Sequence, residues 1–190
     1  MKTFITEYFL LENDTARELY FDHAAQQPIY DYHCHLPPKQ IADNYRFRNL
    51  YDIWLAGDHY KWRAMRANGV AERFCTGDAG DEEKYHAFVR TVPYTLRNPL
   101  YHWSHLELLR YFGIAEIINE DSAARIWKAA NAQLAEPDFG TQGILAKNRV
   151  AVIGTTDDPT DSLEHHAHIR KQGLQTRVYP TFRPDAALKV

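Results

Sequence analysis

A chain of 190 residues with 45% hydrophobic and 13% aromatic content can bury a substantial core, which excludes a disordered polypeptide. The formal charge of −3, with Lys and Arg scattered singly, offers no basic stripe for a phosphate backbone and argues against nucleic acid as a partner. No apolar stretch approaches the ~20 residues of a membrane span, and Met1-Lys2-Thr3-Phe4 leads into acidic residues without a signal-peptide core, so no membrane partner is expected and the protein reads as cytoplasmic. Cys34 and Cys75 imply no disulfide framework.

Thr15-Ala16-Arg17-Glu18 has the form of a capping box, with Thr15 as N-cap of a helix that carries Leu19, Tyr20, His23 and Ala24 on one face. The helix delivers the chain into Pro28-Ile29-Tyr30-Asp31-Tyr32-His33-Cys34-His35-Leu36. There the β-branched and aromatic residues, without helical period, predict a strand. Alternation sends His33 and His35 to one face and Cys34 to the other, so two imidazoles roughly 7 Å apart along the backbone can converge on one divalent cation. Pro37 and Pro38 remove backbone donors and end the strand, which puts both histidines at its C-terminal tip, where open α/β sheets and barrels place their chemistry. Asp31 is expected on the same face, as an orienting carboxylate or a plain buried acceptor.

Residues 45–112 read as a helical insertion rich in aromatics. Its helices are expected over Leu50 to Ala56, over His59 to Ala67 with Asp58 as cap, from Asp81, and from Asn98-Pro99 to Gly113. His102 and His105, at i and i+3 on the last of these, offer a metal-binding spacing, but among Trp103, Leu106 and Leu109 they read first as packing and hydrogen-bonding histidines. A weak strand is expected near Gly113 to Ile118 and an amphipathic helix over Asp121 to Ala135.

Val150-Ala151-Val152-Ile153-Gly154 is a continuous apolar run, as in a strand covered on both faces of a parallel sheet. Asp157 and Asp158 after it read as loop and helix-start residues first and as site residues second, ahead of a helix from about Thr160 to Gln172 that stops at Gly173. His165, His166 and His168 fan round that helix and predict a solvated face. A strand over Thr176 to Phe182 completes a β-α-β unit and fixes a parallel pair with a right-handed crossover. The grammar is that of an α/β protein. Without a glycine-rich loop after the first strand, it favours the N-terminal portion of a metal-dependent (β/α)8 TIM-type barrel over a dinucleotide-binding sheet. In that scheme residues 1–44 hold the N-terminal helix and first barrel strand, 45–112 the helical insertion and 113–190 further βα units. A barrel needs eight strands and ~250 residues, so the chain is expected to be part of a larger enzyme.

Longer phrases sharpen the reading. Asp31-Tyr32-His33-Cys34-His35-Leu36-Pro37-Pro38, Gly57-Asp58-His59-Tyr60-Lys61-Trp62-Arg63-Ala64-Met65-Arg66, Asn98-Pro99-Leu100-Tyr101-His102-Trp103, Gly154-Thr155-Thr156-Asp157-Asp158-Pro159 and Phe182-Arg183-Pro184-Asp185 together resemble the uronate (glucuronate) isomerase family of the amidohydrolase superfamily. The resemblance implies an aldose–ketose isomerase acting on D-glucuronate and D-galacturonate, with His33 and His35 as ligands of one divalent metal, usually zinc. It implies Tyr60, paired with His59, as proton shuttle and Arg183 as the partner of the sugar acid's carboxylate. It also implies that a further ligand, an Asp, and a neighbouring Arg lie beyond residue 190, so that this chain alone would be inactive.

The chemistry asks for such groups, because moving a carbonyl from C1 to C2 through an enediol needs stabilised negative charge and one base that serves both carbons. A tyrosine can serve where nearby cations lower its ordinary pKa of ~10. A hydride shift is the mechanistic alternative. Two other readings stand beside the isomerase: a metal-dependent hydrolase of the same superfamily, and an inert open half-barrel whose unpaired sheet edges drive association. A homo-oligomer is compatible with all three.

Overall fold

The computed structural model describes residues 4–186 and 188. In chain order the elements are α1 (Asp14–Glu18), a π-helical turn (Leu19–Ala24), β1 (Ile29–Cys34), α2 (Pro38–Ala42), α3 (Leu50–Trp54), α4 (His59–Ala67) and α5 (Asp81–Thr91). They continue as α6 (Pro99–Phe112), α7 (Glu120–Leu134), α8 (Thr141–Lys147), β2 (Val150–Asp157), α9 (Glu164–Gln172) and β3 (Arg177–Phe182). Two compact units result. One comprises the described residues up to Arg17 with Phe47–Glu136, the other Glu18–Arg46 with the described residues from Pro137 onward.

The first unit is helical. Its α5 begins with Asp81, Glu82 and Glu83, which suit the positive end of the helix dipole, and Glu83 Oε2 accepts from Gly80 N at 2.9 Å. Behind that turn Tyr85, Phe88 and Val89 recur at helical spacing and are fully buried, and they pack α5 against α3, α4 and α7. Burial pushes the Tyr85 phenol far above its ordinary range, and its hydroxyl is satisfied by Ala123 O at 3.0 Å. Asp58 caps α4 as expected, its carboxylate accepting from Tyr60 N and Lys61 N at 2.9 and 3.1 Å. At the other chain end of the unit, Asn13 rather than Thr15 caps α1, accepting from Ala16 N at 2.8 Å.

Gly113 takes the left-handed conformation that ends α6, and residues 113–118 form no strand. What holds that segment is His105, 3% exposed, whose Nε2 accepts from Ile118 N at 2.9 Å while Nδ1 lies 2.6 Å from Tyr101 O. An imidazole that accepts at one nitrogen must donate from the other, so His105 is the neutral Nδ1–H tautomer. Burial holds its pKa below the ordinary histidine value, against the opposing pull of the Tyr101 carbonyl. The folded pKa is thus lower than the unfolded one. The resulting stability is complete above about pH 6.5 and is lost as pH falls through the folded pKa, because a proton on Nε2 evicts the Ile118 N–H. The melting temperature should therefore drop between neutral and mildly acidic pH, and His105→Gln, which keeps an acceptor but does not titrate, should flatten that drop. An unchanged slope would assign the acid sensitivity elsewhere.

The second unit is a three-stranded sheet of order β1-β2-β3, parallel throughout. The β2-α9-β3 crossover is the expected β-α-β unit. One face of the sheet is covered by α2, α8 and α9 through a core of Ile41, Leu145, Ile153 and Ile169, with Cys34, Leu36, Val150 and Val178 at its edge. Gly154 lets the strands approach, since a Cβ there would lie 2.9 Å from both Tyr32 O and Thr181 Cγ2. The outer strands β1 and β3 are sheet edges, and Tyr30, Tyr32 and Tyr179 remain largely exposed.

Three differences from the sequence reading matter for the site. First, Asp31 pairs with Ile153 and Cys34 with Thr155, so Tyr32 and His33 both stand opposite Gly154, in a bulge. Regular alternation is broken there, and Asp31 comes to the side of Cys34 instead of sharing the histidine face. Second, β2 runs on to Asp157 because β3 pairs with it that far, so Asp157 is a buried strand residue, not a helix cap. Third, α9 starts only at Glu164, and its His166 is buried while His168 is exposed, so the helix does not present all three histidines to solvent.

Candidate active site

His33 is the penultimate residue of β1 and His35 lies just beyond it, ahead of the two prolines that stop the strand. Both side chains are exposed and they turn toward one another, with Nε2 of each 2.9 Å apart and ring centroids separated by 4.8 Å. Two ring nitrogens at that distance share either one hydrogen or one cation. With zinc–nitrogen bonds of ~2.0–2.1 Å, nitrogens 2.9 Å apart subtend about 90° at a common ion, within the range of divalent coordination. The pair fits a metal as two of its ligands. Among the described residues no third His, Cys, Asp or Glu joins them.

The bulge supports this arrangement. Asp31 Oδ1 accepts from the His33 backbone N–H at 3.2 Å, closing the extra residue into a tight turn. Cys34 points to the core, where burial first and the Asp31 carboxylate second push its thiol pKa up. Packed against that core, Cys34 is a packing residue.

His59 and Tyr60 occupy the first turn of α4, in the helical unit, just after the Asp58 cap. Their rings lie 4.3 Å apart at a 32° tilt, and the Arg63 guanidinium sits over the Tyr60 ring at 5.3 Å. Tyr60 is 58% exposed. Arg183 follows β3 in the sheet unit, its backbone N–H bonded to Asp157 O at 3.1 Å and its Nε to Asp185 Oδ2 at 2.6 Å. That ion pair is about half exposed on both sides, and such a pair is a weak, displaceable contact.

The Glucuronate isomerase family model matches residues 1–190, the whole chain. The chain belongs to the glucuronate isomerase family. A uronate isomerase of Opitutus terrae is 63% identical over 190 residues, which is all of this chain and 40% of that protein. Among solved structures, uronate isomerase from Thermotoga maritima superposes with a TM-score of 0.93 at 36% identity, covering 98% of this chain and 41% of that one. Glucuronate isomerase from Caulobacter crescentus gives a TM-score of 0.80 at 27% identity, over 85% of this chain and 35% of that one. This member of the glucuronate isomerase family thus spans about 40% of the length of the curated relative it matches. Its α/β fold with a parallel sheet is the one those structures share.

Of the residues singled out by sequence, the structure brings His33 to His35 and His59 to Tyr60. It ties Arg183 to the end of β2. What sequence reasoning missed is that Asp157 and His166 are buried and both in contact with Thr155; for Asp157 the signal was its even spacing from Ile153 along a strand that runs longer than its apolar stretch.

Proposed function

We propose that this chain supplies the metal-binding histidines, the proton shuttle and the carboxylate-binding arginine of a uronate isomerase. The enzyme interconverts D-glucuronate with D-fructuronate and D-galacturonate with D-tagaturonate in the cytoplasm, within a (β/α)8 barrel continued from the free edges of β1 and β3. The observation that carries the reading is the convergence of the His33 and His35 Nε2 atoms at the tip of a parallel strand, in a chain of this family.

His33 and His35 would hold one divalent metal, zinc on the family resemblance, whose charge stabilises negative charge developing on adjacent substrate oxygens. The Tyr60 oxygen takes the proton from C2 of the open-chain aldose and returns it to C1, while the O2 hydroxyl proton passes to O1, so that one base serves both carbons. His59, stacked on the phenol ring, fixes its orientation. Arg183 receives the C6 carboxylate, exchanging its single contact with Asp185 for two parallel N–H···O bonds.

The reading is tested on a completed polypeptide: this chain joined to the part of the Opitutus terrae relative that it does not span. Supplied with zinc, it should isomerise D-glucuronate and D-galacturonate and leave amide and lactone substrates intact. Hydrolysis of an amide or lactone without isomerisation would make it a metal-dependent hydrolase instead. In the same polypeptide Arg183→Met should lower kcat/KM on D-glucuronate by about 10-fold or more, equivalent to roughly 1.4 kcal/mol. Arg183→Lys should also lower it, because an ammonium cannot present two parallel donors. An equal loss on the neutral parent sugar would give Arg183 to the scaffold and carboxylate recognition to another residue.

A further inference from the structure

Behind the tip of β2 lies a buried polar unit that the chemistry above does not use. Thr155, Asp157 and His166 are 0%, 5% and 9% exposed. Alternation along β2 from the core residue Ile153 directs Thr155 and Asp157 to the helix-covered face, toward α9. Thr155 Oγ1 lies 2.7 Å from Asp157 Oδ2, 2.8 Å from His166 Nε2 and 3.2 Å from Tyr179 O. The direct separation of His166 Nε2 from Asp157 Oδ1 is 3.7 Å, too long for a hydrogen bond.

A threonine hydroxyl has one hydrogen. The Tyr179 carbonyl and the Asp157 carboxylate both accept, so that hydrogen belongs to the shorter bond, to Asp157. The contact from His166 must then bring its own hydrogen. The bonds run one way, from His166 Nε2–H to Thr155 Oγ1 and from Thr155 O–H to Asp157 Oδ2. A buried carboxylate is costly unless it is hydrogen-bonded, which gives the bridge its stake in the fold.

Asp157 is also where β2 hands over to the site. Its backbone oxygen accepts from Arg183 N at 3.1 Å, and it pairs with Phe182, the last residue of β3. The point at which Arg183 leaves the sheet is therefore set by Asp157. We propose that His166 and Thr155 are positioning residues for Arg183, acting through Asp157: the bridge pins the β2 tip to α9 and so fixes where the guanidinium is presented. The proposal rests on the reading of Arg183 as the carboxylate-binding residue.

The test uses the completed polypeptide. His166→Leu removes the Nε2–H and should raise KM for D-glucuronate roughly 10-fold while kcat changes less, the upper end of what losing one hydrogen bond to a neutral hydroxyl is expected to cost. His166→Gln, whose amide N–H can reach the same oxygen, should restore KM to within a few-fold. In an Arg183→Met background His166→Leu should add nothing, since residues acting through one another are non-additive. If His166→Leu fails to fold, the comparison of Thr155→Val with Thr155→Ser carries the same contrast.

An unchanged KM in the leucine variant, a glutamine variant as poor as leucine, or an undiminished effect without Arg183 each overturns the proposal. Arg183→Met with unchanged KM would instead sink the carboxylate assignment. The bridge itself is read separately by nitrogen NMR of His166, which should be protonated at Nε2; a bare Nε2 on a neutral ring would overturn the bridge whatever the kinetics.

Discussion

Alanine at either His33 or His35 is expected to cost the completed polypeptide more than ~100-fold in zinc affinity, since losing even an outer partner of a metal ligand costs 10–100-fold. The two imidazoles approach to 2.9 Å and no third ligating residue accompanies them among the described residues, so each is a large share of the site. Isomerase activity should fall with metal content and return partly at excess zinc. Cys34→Ser should retain metal, because that side chain packs against the core. Metal analysis after dialysis checks all three variants. Equal zinc in wild type and both alanine variants would remove the histidines from the metal site.

Tyr60→Phe should lower kcat on D-glucuronate by about 10²-fold or more, the usual weight of a positioned general base. The substitution keeps the stacking with His59 and the contact with the Arg63 guanidinium and removes only an exposed hydroxyl, so the melting temperature should not move. In heavy water the wild-type product should carry solvent deuterium at C1, as a base that exchanges with solvent requires. A kcat within a few-fold of wild type, or a product free of solvent deuterium, would take the proton from Tyr60; the latter points to a hydride shift.

Much of the sheet unit was legible because its strands announce themselves by β-branched and aromatic runs, and because apolar β2 followed by helix and strand leaves one handed connection. The caps at Asp58 and Asn98 and the left-handed stop at Gly113 were equally plain, since each is a local rule acting on its own few residues. The short helices α2 and α8 were not, because one or two turns carry no readable period. Asp31 was misplaced for a different reason. Alternation assumes one residue opposite one residue, and the bulge at Tyr32-His33 depends on what β2 offers across the ladder. His166 was misread because a helix's buried stripe is decided by what packs on it, and the buried acceptor Thr155 sits 11 residues away in sequence. His33 and His35 still meet, because His33 sits in the bulge and His35 just beyond the strand end, and their rings turn toward each other at its tip.

The most direct test is to follow formation of the ketose D-fructuronate from D-glucuronate, with zinc present, by residues 1–190 alone and by the completed polypeptide. Two histidines without a third ligand should give no turnover from the chain alone, and completion should restore it. Turnover by residues 1–190 at a rate close to that of the completed polypeptide would contradict the account, because the described residues would then need neither a further metal ligand nor a closed barrel.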